Sequence, residues 1–314
     1  MSFRDKKQTG FFLEDVEPRV IPYGKKAYTV PKSKWDNHPL AFFPSPLVGL
    51  ALPARRTDER SFIRQTVRGS MVLNAGHLPD ARTGEIIPVK MPSGLMARQA
   101  LVSLVTMSVK QQKADVELDG TFTEWLRSMG FRSTGANLRK FRTELAALGL
   151  CSLQIFQKNG KNYQVFNGCL FKGLNLSLDE TRVQPSLFPT QISFDDDFYA
   201  HIIQKAMPFP REALLSLRSA LSFDLYCLAA KICFTVPKGE RLVLSYADLQ
   251  ERIGNTDTNV HRFAAAVRHT LNKHILPAYD NARIDILPKQ GLAFHHSRPP
   301  VLKRGLKSGD VVFF

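Results

Sequence analysis

The segment 242–296 constrains the fold more than any other part of the chain. It opens on the apolar run Leu242–Leu244, which predicts a short strand. Ser245 follows, three residues before Asp248, and this spacing is typical of a capping box at the start of a helix. Gly254 supplies a helix end, so the first half of the segment predicts a strand followed by a short helix.

The second half of the segment predicts a longer helix and a hairpin. Residues 255–258 are turn formers and are expected to supply the N-cap of a helix from Thr258 to Ile275. Residues 282–287 and 292–296 have the pattern of two strands around a Pro-Lys-Gln-Gly turn. Strand, helix, turn, helix and hairpin in this order predict a winged helix-turn-helix.

The longer helix separates an apolar stripe from a polar face on a helical wheel. The stripe predicted to face the core consists of Val260, Phe263, Ala264, Val267, Leu271 and Ile275. The opposite face consists of Arg262, Ala265, His269, Asn272 and Lys273. Arginine and asparagine can pair with base edges and lysine with phosphate, so this face has the composition of a major-groove reader. Asn259 at the helix start and Lys289 in the hairpin turn complete this predicted DNA-binding set. Taken alone, the polar face of the helix is explained equally well as an ordinary solvated surface.

An earlier segment repeats the same order of elements. A helix from Leu95 to Lys110 and a strand from Asp115 to Leu118 precede a capping-box helix that starts at Thr121. A longer helix and a hairpin centred on residues 158–160 follow, where Asn-Gly suits a tight turn. The outward face of that longer helix consists of Ala136, Arg139 and Thr143, and Lys140 and Arg142 flank it. This face is shorter and also basic, and Arg139, Lys140, Arg142 and Thr143 are its predicted DNA-binding residues.

The charge balance favours a polyanionic partner. The chain has 43 Lys+Arg against 28 Asp+Glu, a formal net charge of +15, and a pI near 9.8. Such a field attracts nucleic acid or an acidic membrane surface. No signal peptide and no long uncharged apolar run occurs, so we expect a cytoplasmic protein without a membrane contact. The four cysteines lack Cys-x-x-Cys spacing and are expected to be small core residues in a reducing compartment.

Motifs for catalysis are missing from the sequence. It contains no phosphate-binding Gly-x-x-x-x-Gly-Lys-[Ser/Thr] loop and no Gly-x-Ser-x-Gly or His-Glu-x-x-His motif. His295 and His296 are neighbours, so a strand would point them to opposite faces and they would not chelate one metal. The triplet Asp195–Asp197 offers carboxylates, but a solvated loop or strand end explains it better than a metal site. We therefore predict no catalytic residues, no metal and no cofactor.

Several stretches resemble the plasmid-encoded RepA family of replication initiators. They are FPREALLSLRSALSFDLYCLAAKICF before LSYADLQERIG, and MPSGLMARQALVSLVTMSVKQQ with ELDGTFTEWLRSMGF. PLVGLALPARR and RGSMVLNAG resemble the β-rich lead-in of that family, and the resemblance covers roughly residues 44–301. It implies sequence-specific binding to double-stranded DNA at a plasmid origin and recruitment of host replication initiator and helicase machinery. A homodimer is left open.

The sequence thus predicts an α+β fold with two tandem winged-helix domains and a short β-rich N-terminal lead-in. The expected divisions are an irregular basic arm (1–43), the lead-in with the first winged helix (44–182), a linker (183–208), the second winged helix (209–301) and a basic tail (302–314). A winged-helix transcriptional regulator is the alternative within binding proteins, although the duplication favours an initiator. A nickase or primase would need metal ligands and a nucleophile, and a chromatin-like protein would bind without sequence preference.

Overall fold

The computed structural model describes residues 19–23, 26–30, 40–66, 69–80, 83–118, 120–159, 162–177, 188–253 and 259–303. Helices and small antiparallel sheets alternate along these ranges, so the α+β class is confirmed. The helices are α1 Gly94–Gln111, α2 Phe122–Ser128, α3 Gly135–Leu150, α4 Asp196–Lys205, α5 Arg211–Ser216, α6 Ala220–Thr235, α7 Tyr246–Ile253, α8 Val260–Thr270 and α9 Leu276–Ala278. A 3₁₀ turn spans Ser45–Leu47, and a π-helical turn, Leu271–Ile275, joins α8 to α9.

Most of the strands are short. They are β1 Arg19–Tyr23, β2 Lys26–Val30, β3 Leu40–Phe43, β4 Ser61–Thr66, β5 Gly69–Asn74, β6 His77–Pro79, β7 Ile86–Pro88, β8 Asp115–Glu117, β9 Ser152–Asn159, β10 Asn162–Cys169, β11 Phe171–Ser177, β12 Phe188–Phe194, β13 Met207–Pro210, β14 Arg241–Ser245, β15 Ile284–Leu287, β16 Gly291–His295 and β17 Leu302–Lys303. The sheets of three or more strands have the strand orders β1-β2-β17, β10-β9-β5-β4, β11-β12-β8 and β14-β16-β15.

Capping interactions set the starts of the short helices where the sequence predicts them. At α2 the Thr121 hydroxyl accepts from the Glu124 N–H at 3.2 Å, and the Glu124 carboxylate accepts from the Thr121 N–H at 2.8 Å. At α7 the Ser245 hydroxyl accepts from the Asp248 N–H at 3.0 Å, and the Asp248 carboxylate accepts from the Ser245 N–H at 3.0 Å. These reciprocal bonds satisfy donors that the first helical turn leaves unpaired. Both predicted capping boxes are confirmed.

The second unit, residues 220–295, closes its own sheet. Strand β14 precedes α7 and pairs with β16, and β16 also pairs with β15, so Phe294 lies between Leu242 and Ile284. Gly291 begins β16 where a side chain would collide with the Leu244 carbonyl oxygen, so the close approach of these two strands requires glycine. The sheet packs on α6 and α7, and the predicted order of elements is present.

The first unit, residues 94–169, has the predicted elements with different strand partners. The predicted hairpin is confirmed as β9–β10, whose register pairs Asn159 with Asn162, while Gly160 at its turn lies outside the described residues. However, this hairpin joins β5, and β8 pairs with β12 instead. Strand β12 buries Ile192 and Phe194 completely, which explains why it is held in the core.

Two predicted irregular segments contain regular structure. Strand β12, helix α4 and the start of β13 lie inside the predicted linker 183–208, and β1, β2 and β3 lie inside the predicted arm 1–43. Strand β3 is entirely buried and pairs with β13, while β2 pairs with β17 in the predicted tail. Strand β7 lies just ahead of α1, and the stretch PLVGLALPARR of the predicted β-rich lead-in does not form a strand. Long-range partners, which local sequence does not specify, stabilise the unexpected strands.

The buried face of α1 joins the two units. Residues that recur at helical spacing along it are all buried: Ala97, Leu101, Leu104, Val105 and Ser108. Arg98 on the same helix is fully buried and forms a bidentate pair with Asp224 of α6, with both N–O distances 2.7 Å. The remaining guanidinium N–H groups donate to the Leu52, Pro53 and Gly94 carbonyls at 2.6–3.2 Å. Because every N–H of Arg98 has an acceptor, this pair is a fully satisfied joint between lead-in, first unit and second unit.

Three of the cysteines, Cys151, Cys227 and Cys233, are buried and Cys169 is half-buried, as expected for small core residues. Within the described ranges, no helix has the length and apolar character needed to cross a membrane.

Candidate nucleic-acid interface

Helix α8 is anchored by one face. Phe263, Val267, Leu271 and Ile275 have no exposed surface, and Ala264 is 5% exposed. The predicted stripe fails only at Val260, which is 42% exposed. Val260 is the first helical residue, so its side chain lies before the turns that contact the core. The predicted continuous helix 258–275 is also corrected, because the last part is a π-helical turn just ahead of Pro277.

The start of α8 is fixed by a cap that differs from the predicted one. Asn259 is the N-cap, and its side-chain oxygen accepts from the N–H groups of His261 at 3.0 Å and Arg262 at 3.1 Å. The N-cap expected within residues 255–258 is therefore wrong, and residues 254–258 lie outside the described residues. Asn259 is exposed, but its side-chain oxygen accepts the hydrogen bonds that cap the first turn of the helix.

The predicted outer face of α8 reaches solvent as a unit. Each of the five residues in it is classed as exposed: Arg262, Ala265, His269, Asn272 and Lys273. The small Ala265 leaves room for a ligand to approach the helix backbone between longer side chains. Arg268 does not belong to this face: it is half-buried, with its guanidinium 5.8 Å from the centroid of the Tyr246 ring.

The hairpin turn after β15 carries the predicted Lys289. This lysine is exposed and has a φ angle of 61°. The Gln290 N–H donates to the Leu287 carbonyl at 3.1 Å, and the Gln290 carbonyl accepts from the Tyr246 N–H at 3.1 Å. The turn is thus tied to the start of α7, and Lys289 projects from a fixed hairpin.

The corresponding basic face of α3 is narrower than the sequence predicts. Arg139 and Lys140 are exposed, but Thr143, predicted to face outward, and the flanking Arg142 are half-buried. The Arg142 guanidinium lies 5.5 Å from the Phe122 ring centroid, and its Nε is buried without a hydrogen-bond partner among the described residues. The Thr143 hydroxyl donates to the Arg139 carbonyl at 3.1 Å. Helix α2 therefore covers the part of the α3 face that contains Arg142.

A buried acid also distinguishes α3. Glu144 is 5% exposed and accepts from the Ser93 N–H at 2.7 Å, just before α1 begins. Burial raises the pKa of the Glu144 carboxyl, while the bond from Ser93 and the charges of Lys140 and Arg56 oppose that rise. The face of α3 that lies between the exposed basic residues and the core is therefore structural.

Sequence reasoning missed the joint formed by Arg98 and Asp224. The available signal was an arginine on the apolar face of α1 and an aspartate within the apolar run of α6, because buried charges require partners.

The acidic triplet Asp195–Asp197 lies at the start of helix α4. Asp195 is the N-cap of that helix and accepts from the Phe198 N–H at 3.1 Å, and Asp196 pairs with Lys172 at 2.7 Å. Among the residues that the structure describes, no cluster of three His, Cys, Asp or Glu side chains has the arrangement of a metal site.

Comparisons with known proteins identify the fold and the family. A crystal structure of selenomethionine derivatives of domains 2 and 3 of RctB superimposes with a TM-score of 0.54 at 13% identity, covering 83% of this chain and 97% of that chain. A second crystal structure of RctB domains 2–3 gives 0.51 at 11% identity, covering 86% of this chain and 100% of that chain. These likenesses show a shared fold. No curated protein matches the sequence significantly.

The family model described as plasmid-encoded RepA protein matches residues 92–247. The match runs from the loop before α1, through the Arg98–Asp224 joint, to the start of α7. It confirms the resemblance that the sequence shows in the same stretches. The chain belongs to the family of plasmid-encoded RepA proteins.

Proposed function

We propose that this chain is a plasmid replication initiator that binds double-stranded origin DNA through two winged-helix units. Membership of the RepA family supports the replication role. The outer face of α8 is the observation that carries the DNA-binding proposal, because its five predicted residues are exposed while the opposite stripe, apart from Val260, is buried. A strand and a helix precede α8, and a hairpin with an exposed lysine follows it, as a winged helix requires.

The two units have different parts in this proposal. The second unit reads bases with the first half of α8 and contacts phosphate with Lys273 and Lys289. The first unit, in which only Arg139 and Lys140 of the predicted set are exposed, adds phosphate contacts in a neighbouring groove. The joint between Arg98 and Asp224 keeps the two contacts at one spacing. Recruitment of host replication proteins and formation of a homodimer belong to the same proposal as consequences of an initiator role.

Footprinting tests this function. The purified full chain is titrated onto the plasmid fragment that flanks its own gene and onto a random fragment of equal length, at one stated salt concentration. We expect protection of repeated short sites on the plasmid fragment and affinity on the order of 10³-fold or more above the random fragment. Equal affinity for both fragments would mean that the chain binds as a general polyanion-binding protein.

No catalytic step is part of the proposed function. The two neighbouring histidines in the wing are engaged separately: His295 contacts the Asp285 carboxylate at 2.8 Å, and His296 contacts the Val236 carbonyl at 2.7 Å. This arrangement supports a structural role for both side chains. The purified chain is expected neither to hydrolyse ATP nor to nick supercoiled plasmid DNA. Turnover that is abolished by substitution of one of its own residues would overturn this part of the proposal.

A further inference from the structure

A second cationic region borders the outer face of α8, where the start of α6 lies beside the end of the α8 helix. Helix α6 packs against the π-helical turn. The ring of Tyr226 in α6 contacts the ring of Tyr279, just after α9, with centroids 6.2 Å apart. Tyr226 lies in the N-terminal half of α6, so this half of the helix is next to the segment that follows the π-helical turn.

Arg218 is held at the entrance to α6. It is exposed, and it directly precedes Ser219, the N-cap of the helix. The Ser219 hydroxyl accepts from the Ser222 N–H at 3.0 Å, and the Ser219 N–H donates to the Ser222 hydroxyl at 3.0 Å. This capping box fixes the backbone next to Arg218, so the side chain extends from a defined point at the start of the helix.

His274 shows that the cations around it form one cluster. Its imidazole is half-buried in the π-helical turn. Burial lowers the pKa of His274, and the positive charges of Lys273, His269 and Arg218 lower it further. The three side chains therefore lie within electrostatic range of the same imidazole, although they come from two different elements.

Such a gathering of like charges is unfavourable in the free protein and becomes favourable when an anion is bound. Resting on the proposed function, we propose that Arg218, His269, Lys273 and His274 form a phosphate clamp that holds the DNA backbone beside the groove entered by α8. Arg218 and His274 are then DNA contacts outside the face predicted from the helical wheel. The clamp lies at the far end of the helix from Arg262, and this separates backbone contacts from base contacts.

The clamp makes binding depend on pH. A phosphate beside His274 offsets the surrounding positive charge, so the pKa of His274 rises when DNA binds. The complex then holds a proton that the free protein releases, and affinity increases as pH falls through the window between the free and bound pKa values. His274→Gln is expected to reduce the pH slope of affinity, and an unchanged slope would remove His274 from the clamp.

Salt titration of the full chain tests Arg218. The probe is a labelled duplex that carries one protected plasmid site, compared with a scrambled duplex, and affinity is measured from about 50 to 200 mM NaCl. Arg218→Ala is expected to reduce the slope of log affinity against log salt by about 0.9 on both duplexes, because one phosphate contact is lost. The wild-type affinity then falls roughly three- to fourfold more than the variant affinity across that range. Arg218→Lys keeps the charge and should retain the wild-type slope.

Arg55→Ala is the matched control, because Arg55 is also an exposed arginine and lies outside both predicted DNA-binding faces. If Arg218→Ala and Arg55→Ala have the same slope while Lys273→Ala has a smaller one, the clamp is wrong and the proposed function stands. If Arg262→Ala and Lys273→Ala also bind like wild type, the proposed function itself fails.

Discussion

The two longer helices of the repeated units, α8 and α3, differ in how much of the basic face reaches solvent. On α8 the whole predicted face is exposed. Arg268 of this helix is half-buried against the Tyr246 ring, but it does not belong to the predicted face. On α3 two of the four predicted residues are half-buried, and the buried Glu144 lies directly after them. The same order of elements therefore produces one helix with a broad accessible face and one that is partly used to join its unit together.

The two units also differ in how their strands pair. Strand β14 pairs with β16 inside the second unit, whereas β8 pairs with β12, which comes after the hairpin of the first unit. The first unit shares its sheets with the lead-in strands β4 and β5 and with β11 and β12. The first unit is therefore integrated with the rest of the chain, whereas the sheet of the second unit consists of its own strands β14, β16 and β15.

The largest expected effect concerns the joint between the units. Arg98→Met should lower the free energy of unfolding by about 3–5 kcal/mol, because it leaves the buried Asp224 carboxylate without its partner. Chemical denaturation of the full chain measures this change. The exposed pair of Lys90 and Asp58 is the control, since Asp58→Asn should change stability little. Similar losses for both variants would show that the buried pair does not join the units.

Phe263 tests the anchored side of α8. The side chain is fully buried, so Phe263→Ala should lower the free energy of unfolding by about 3–5 kcal/mol through lost burial and a cavity. Val260→Ala, on the same helix but 42% exposed, should have a much smaller effect. Thermal or denaturant unfolding compares the two. If Val260→Ala is as costly as Phe263→Ala, the helix contacts the core differently from the arrangement seen here.

The face of α3 gives a prediction that separates its exposed and half-buried cations. Arg142→Ala should lower the free energy of unfolding by about 1 kcal/mol, because the contact with the Phe122 ring is lost. Arg139→Ala should leave stability unchanged and reduce the salt slope of DNA binding by about one unit. Unfolding curves and salt titrations of both variants check this pair. An exchange of the two results would mean that Arg142 points to the DNA.

Glu144 gives the smallest expected effect, and it depends on pH. Its pKa is raised by burial, so the folded state holds a proton more tightly than the unfolded state. Its contribution to stability is therefore present below the unfolded pKa and is lost as pH rises through the folded pKa. Glu144→Gln should flatten this decline in the unfolding free energy. A variant whose stability falls with pH as steeply as that of wild type would contradict the assignment.

Local structure could be predicted from the sequence, because its signals are local. The Thr121–Glu124 and Ser245–Asp248 spacings located two helix starts, and Asn-Gly located the β9–β10 hairpin. Helical periodicity also placed the outer face of α8. The pairing of β8 with β12 was not predictable in this way, because a three-residue strand does not specify its partner.

The inward position of Arg142 depends on a residue of another helix. A helical wheel places Arg142 at the border of the α3 face, and the ring of Phe122 from α2 determines which way it turns. The clamp residues Arg218 and His274 were missed for the same reason, since they come together only when α6 packs against the π-helical turn.

The outer face of α8 is tested most directly by titrating Arg262→Ala and Lys273→Ala onto protected-site and scrambled duplexes over a range of salt concentrations. Arg262 lies in the first half of the helix, so its loss should cost about 1–3 kcal/mol on the protected site and relax the preference at one base pair. Lys273 lies in the π-helical turn, so its loss should weaken both duplexes alike and reduce the salt slope by about one unit. Equal loss on both duplexes for Arg262→Ala would contradict base reading by α8.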